Sequence, residues 1–273
     1  MDATMLVAGS MIGSGIFIVS ADIARNTGSA GWLMVVWVIT GIMTLIAALS
    51  YGELSAMFPK AGGQYVYLKE AYNPMVSFVF GWTFFTVIQT ATIAAVGVAF
   101  AKFTAYLIPQ LDEDVILLDI GFTQVSSAQL VSIGVIFLLT FINTRGVNSG
   151  KAVQTFLTVI KLVSLLGLVI FGFLAFKPEV WEANWMSGDA WNLRRLNIDG
   201  TVADYTMFAA LGAIAAGMVG AIFSSDSWHS SASVASEIKN PSRNVGLSLA
   251  LGTIIVTVVY LLTNLMYTGV DSL

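Results

Sequence analysis

Cysteine is missing from all 273 residues, which removes disulfides, thiolate nucleophiles and cysteine metal sites and leaves the redox compartment open. One histidine does not furnish the donor set of a zinc centre, and no metal or other cofactor is expected. Charge is scarce as well. Only 10% of the residues are charged, against roughly 25% in a soluble domain. Sixteen acidic and twelve basic residues leave a net charge of −4, so there is no basic surface for nucleic acid. The first residues also lack the basic region, short apolar core and small-residue cleavage site of a secretory signal.

Apolar length is what the chain has in abundance. A hydrophobic share of 57% and a mean hydropathy of +0.83 describe an all-α polytopic membrane protein. With about 20 apolar residues per span as the criterion, seven segments emerge, near 4–23, 31–57, 75–108, 126–143, 152–176, 204–232 and 245–269. They form one transmembrane domain over 1–273. One polar residue, Asp2, precedes the first segment, and the last ends close to the C-terminus. A fragment is therefore expected.

Pro59 closes the second segment because proline bars helix continuation. The loop beyond it, Ala61 to Pro74, carries Tyr65, Tyr67 and Leu68 beside Lys69 and Glu70, which suits a short helix at the interface. The connection from Lys177 to Ala203, with Trp181, Trp185 and Trp191, suits a small interfacial structure and is too short for a separate domain. Lys60, Lys69, Arg145, Lys151, Lys239 and Arg243 fall in the short connections 2–3, 4–5 and 6–7. Basic density there places the N-terminus in the cytoplasm, in a plasma or cell inner membrane. The opposite connections hold Arg25, Lys102, Lys177, Arg194 and Arg195.

The first segment contains Gly9-Ser10-Met11-Ile12-Gly13-Ser14-Gly15-Ile16-Phe17. Backbone loosened by glycine and serine at membrane depth survives only beside protein or a water-filled cavity, and broken helices mark binding sites in transporters. The competing reading is close helix packing by small residues. Met218-Val219-Gly220-Ala221-Ile222-Phe223 in the sixth segment repeats the pattern one residue shorter. Five segments separate the two, and an odd offset places the second copy in the membrane from the opposite side, as in inverted repeats.

Ser224-Ser225-Asp226-Ser227-Trp228-His229-Ser230-Ser231 follows directly. Serines favour local backbone bonds, so this is a second candidate break. Asp226 is either an acid at membrane depth, and so functional by default, or a solvated residue past the helix end. Lys161 stands ten residues after Lys151, roughly 15 Å into the membrane at about 1.5 Å per residue, too deep to snorkel easily. It suits a fixed cation or a proton carrier facing a cavity. Glu53 and Glu237 read as solvated or gate-pairing ends, His229 as a titrating or a structural hydrogen-bonding group, and Thr86, Gln89 and Thr90 as polar glue between helices. Ser14 or the serine cluster with His229 lacks a third orienting group for a hydrolase, and no channel filter motif is present. An enzyme is not expected.

These motifs resemble a known family. Gly13-Ser14-Gly15-Ile16-Phe17, Tyr51-Gly52-Glu53-Leu54 with Pro59-Lys60-Ala61-Gly62-Gly63, Val153-Gln154 with Lys161, and Phe223 to Trp228 with Glu237-Ile238-Lys239-Asn240-Pro241-Ser242-Arg243-Asn244 are similar to the amino-acid permeases of the amino acid–polyamine–organocation superfamily. The likeness is nearest to the L-type exchangers and their bacterial relatives. It implies the LeuT-like 5+5 inverted-repeat fold, with residues 1–176 as the first repeat and 204–273 as part of the second. It also implies a sodium-independent exchange or uniport of amino acids by alternating access. In that picture the amides of Ser14 and Gly15 bind the substrate carboxylate, and the carbonyls of Met11, Phe223, Ser224 and Asp226 receive its ammonium. Phe223 is the aromatic gate, and Lys161 takes the place of a sodium ion.

Two departures stand out. Asp226 occupies a position that is often glycine in the exchangers, where its carboxylate suits cationic substrates, proton coupling or a local helix-end bond. The chain stops after the seventh of at least ten helices, so it is expected not to transport without the remaining helices. A proton-coupled amino-acid or polyamine antiporter and a non-transporting sensor are the alternative readings. An accessory subunit stays open, and no cysteine is available for the disulfide that ties mammalian relatives to theirs.

Overall fold

A computed structural model describes residues 2–119, 121, 124–145, 147–188, 190–196 and 202–271. The side chains of Asp2, Lys151 and Arg195, and residues 189 and 197–201 of the long connection, lie outside the described set. In chain order the elements are α1 (Asp2–Met11), α2 (Gly15–Thr27), α3 (Ala30–Met57), α4 (Gln64–Ala71), α5 (Pro74–Thr83), a π-turn (Phe84–Gln89), α6 (Thr90–Ala105), β1 (Ile116–Asp119), β2 (Gln124–Ser126), α7 (Ser127–Thr144), α8 (Val147–Leu174), α9 (Pro178–Trp185), β3 (Arg194–Leu196), β4 (Val202–Asp204), α10 (Met207–Ser224), α11 (Ser230–Ser233) and α12 (Pro241–Val270). Six helices among the described residues are long and apolar enough to cross a membrane, and α1 with α2 makes a seventh, bent by 43° at its break. The protein is an all-α polytopic membrane protein whose two β-ribbons, β1–β2 and β3–β4, are short antiparallel pairs.

The boundaries follow local chemistry. Ser29 caps α3 by accepting from the Trp32 amide, 3.2 Å away, and its own hydroxyl donates to the Ala190 carbonyl. Asn73 caps α5 ahead of Pro74, and Ser126 with Gln129 forms a reciprocal capping box on α7. The second segment ends at Phe58-Pro59, as its proline requires. The segment expected near 204–232 is helical only to Ser224; the chain turns through Ser227, at a left-handed φ of 67°, before α11. The loop after Pro59 forms the short helix α4, and the long connection holds α9 and the β3–β4 ribbon.

Two compact units emerge, Met1–Gln64 with Gln154–Leu273, and Tyr65–Val153. In the first, α3 and α12 run against each other, with Gly52 and Gly246 so close that a Cβ on Gly52 would lie 3.1 Å from the Gly246 Cα. Val7, Ile16, Leu33, Val36, Leu249 and Tyr260 are among its fully buried side chains. In the second, α6 packs on α7 where Gly97 meets Ser132. The π-turn continues α5 into α6 as one 32-residue span, and Thr90 follows the wider turn by donating to the Phe85 carbonyl at 2.9 Å.

Candidate substrate site at the two breaks

Helix α1 stops where the glycines begin. The Ile12 amide makes the last bond of that helix, to the Ala8 carbonyl at 3.0 Å, and α2 starts afresh at Gly15. The Gly15 and Ile16 amides of α2 therefore have no intrahelical acceptors, the Phe17 amide bonds back to the Ser14 carbonyl at 3.1 Å, and the ends of α1 and α2 present opposite partial charges to the gap.

Close packing and backbone opening are both present in the motif, at different glycines. A Cβ on Gly9 would collide with Thr158 of α8, and one on Gly15 would collide with Ser224 at the end of α10. Gly13 has open space where its Cβ would be. Gly15 thus brings the start of α2 directly against the end of α10.

Lys161 answers the carbonyls left at the end of α1, on residues that are themselves buried. Its Nζ donates to the Ile12 carbonyl at 3.0 Å and to the Gly9 carbonyl at 3.3 Å. A cation at a helix C-terminus is favoured by the helix dipole. Thr158, three residues earlier on α8, presses on Gly9 while its hydroxyl donates to Gln154. The Thr158–Gly9 contact sets how deeply α8 seats against α1, and with it the reach of the ammonium.

Tyr260 joins the two breaks. Its hydroxyl lies 3.0 Å from the Met11 carbonyl and 3.2 Å from the Ser224 carbonyl. A phenol has one proton to donate, so the two carbonyls share it. The ring is 1% exposed and meets the Trp37 ring edge-on at 5.3 Å. Sequence reasoning passed over this residue. The available signal was a phenol in the apolar run Val258-Val259-Tyr260-Leu261-Leu262, since a buried tyrosine hydroxyl needs a partner.

The second break is held largely by local bonds, beside those from Tyr260 to Ser224 and from Ser248 to Ser231. The Ser224 hydroxyl donates to Gly220 at 2.9 Å, the Asp226 amide to Phe223 at 3.2 Å, and Ser227 adopts a left-handed φ of 67°. Met11, Gly15, Ser224 and Tyr260 converge between the two breaks, and Lys161 touches the first break at Gly9 and Ile12. The Phe223 ring is 65% exposed and the Asp226 side chain 58% exposed, so neither side chain joins that cluster. Asp226 Oδ1 stands 3.9 Å from His229 Nδ1, and Trp228 rests edge-on against Tyr51 at 4.8 Å. Glu53 and Glu237 are exposed. Among the described residues no group of histidine and acidic side chains is arranged to hold a metal ion.

The family model for amino acid permeases matches residues 1–272; the chain belongs to that family, whose members are transporters and not enzymes. It is 28% identical over 264 residues to the mouse (Mus musculus) b(0,+)-type amino acid transporter 1, covering 96% of this chain and 49% of that protein. It is 29% identical to the human (Homo sapiens) cystine/glutamate transporter over 96% of this chain and 47% of that one. Against the serine/threonine exchanger SteT of Bacillus subtilis the identity is 28%, over 96% and 52%. The chain thus spans about half the length of these curated relatives.

Proposed function

We propose that this chain forms, with the remaining helices of a full-length protein, a sodium-independent amino-acid transporter that exchanges or carries its substrate by alternating access. The observation that carries the reading is the Lys161 ammonium on the Gly9 and Ile12 carbonyls, a fixed positive charge where a bound cation would otherwise organise the broken helix. The α-carboxylate of an amino acid binds the amides of Ser14 and Gly15, as anions do at helix N-termini. The ammonium is received by carbonyls at Met11, Phe223, Ser224 and Asp226, and Phe223 acts as the gate over the site. Two inverted five-helix repeats supply the scaffold, with the N-terminus cytoplasmic in a plasma or cell inner membrane. The serine/threonine exchanger and the cystine/glutamate and b(0,+)-type transporters among the relatives support an amino-acid substrate.

The exposed Asp226 carboxylate 3.9 Å from His229 favours a second reading, in which transport is coupled to protons. Full-length protein in liposomes preloaded with unlabelled amino acid separates the two. Counterflow of labelled amino acid without a pH gradient is the expected result; uptake that requires an inward proton gradient supports the second reading. Binding without flux in either condition contradicts both.

A further inference from the structure

Tyr260 serves two carbonyls with one hydroxyl, so the direction of its proton matters. A phenol proton lies near the plane of its ring, and the ring plane therefore decides which carbonyls it reaches. The torsion that sets this plane is broad and roughly two-fold for a tyrosine. The main chain is already fastened, since Asn264 Nδ2 donates to the Tyr260 carbonyl at 2.8 Å. What remains to be fixed is the ring.

Trp37 of α3 is placed to fix it. Its ring stands at 77° to the Tyr260 ring with the centroids 5.3 Å apart, the edge-on arrangement that aromatic quadrupoles favour. The close approach has a visible cause one turn away, where Gly41 of α3 faces Thr257 of α12 and a Cβ on Gly41 would collide with the Thr257 methyl. The indole nitrogen is informative too. Trp37 is 2% exposed, and its Nε1 has no hydrogen-bond partner among the described residues. A buried N–H left unpaired costs stability, so the ring, and not the N–H, is the useful part of this side chain. We propose that Trp37 is a positioning residue for the substrate site, acting through Tyr260: its ring holds the plane of the phenol and with it the bonds to the Met11 and Ser224 carbonyls. The assignment deepens the transport reading above and rests on it for the effect on flux.

The test is a double-mutant cycle between Trp37 and Tyr260 in full-length protein, read as counterflow in proteoliposomes and as melting temperature in lipid nanodiscs. Trp37→Met fills the space without a flat ring. It is expected to slow counterflow by about 2- to 12-fold, the span of an aromatic contact, but by less than about twofold in Tyr260→Phe, which has no phenol proton to aim. Trp37→Phe keeps a ring and drops the unpaired N–H, and should recover most of what Trp37→Met loses. Equal slowing by Trp37→Met in both backgrounds marks a packing role only and overturns the proposal. Trp37→Phe as slow as Trp37→Met overturns it as well, because the N–H would then be the part that counts. If Trp37→Met does not fold, Gly41→Ala, which moves α3 off Thr257 and leaves the indole intact, takes its place in the cycle with the same expectations. Wild-type protein without counterflow overturns the transport reading, and the cycle is then read from melting alone. There, a smaller loss in Tyr260→Phe than in wild type supports the role of Trp37, and an equal loss overturns it.

Discussion

The break after Met11 is bridged by groups from distant helices, whereas the break after Ser224 is tied mainly by its own serines and turn amides. Lys161 of α8 and Tyr260 of α12 reach the carbonyls of Gly9, Ile12 and Met11. At the second break, Ser224 bonds to Gly220, Asp226 to Phe223, and Ser230 to Ser227. Tyr260 is the member common to both. A gap spanned from outside depends on how other helices dock; a gap closed by neighbouring residues keeps its shape when they move. The first break is therefore expected to respond to helix rearrangement more than the second.

Substitutions should sort along that contrast. The largest effect is expected from Lys161→Met, which deletes two charge-assisted bonds of roughly 1.5–3 kcal/mol each. Counterflow by the full-length protein should fall by about 100-fold or more, since about 1.4 kcal/mol is a factor of ten. A rate within threefold of wild type, on the order of 0.6 kcal/mol, would erase the asymmetry between the breaks.

Gly15→Ala comes next, because its methyl meets Ser224 and overpacking costs about 1–3 kcal/mol. Substrate affinity should drop by about 5- to 150-fold. Ser224→Gly removes both side-chain atoms in the collision, leaving the Cα at 3.1 Å from the added Cβ, and should recover part of the loss in a double-mutant cycle. Gly13→Ala, facing open space, is the control and should fold with wild-type stability. If Gly13→Ala and Gly15→Ala destabilise equally, the contact between the breaks is not what Gly15 serves.

Tyr260→Phe removes one shared proton, a net contribution of about 0.5–1.5 kcal/mol, and should slow counterflow by about 2- to 12-fold with a lowered melting temperature. Asp226→Asn should be the mildest. Its carboxylate is exposed, and affinity for neutral amino acids should change by less than about threefold, the scale of exposed ion pairs. A larger change confined to L-arginine would mark the carboxylate as part of the substrate pocket.

Hydropathy made the spans legible, because a bilayer demands about 20 apolar residues whatever their order. The glycine and serine content of the first segment likewise pointed to α1 and α2 as a broken pair. Composition did not reveal that the motif divides its labour, with Gly9 and Gly15 against Thr158 and Ser224 and Gly13 left open; that depends on which helices lie alongside. Lys161 was readable as a cation at membrane depth, but its acceptors are carbonyls about 150 residues away in sequence, which side-chain identity does not encode. Tyr260 was hidden for the same reason. The end of α10 at Ser224 was marked by the serine cluster, yet an apolar count carried the segment on to 232, since Trp228 and Ala232 extend the hydropathy past the hydrogen bonds.

On the proposed function, the Lys161 ammonium fills the role of a bound cation at the first break. Counterflow by full-length protein in proteoliposomes, measured with sodium and with choline replacing it, tests this directly. Equal initial rates in the two buffers, and loss of both in Lys161→Met, are expected. Transport by the wild type that appears only with sodium would contradict that role.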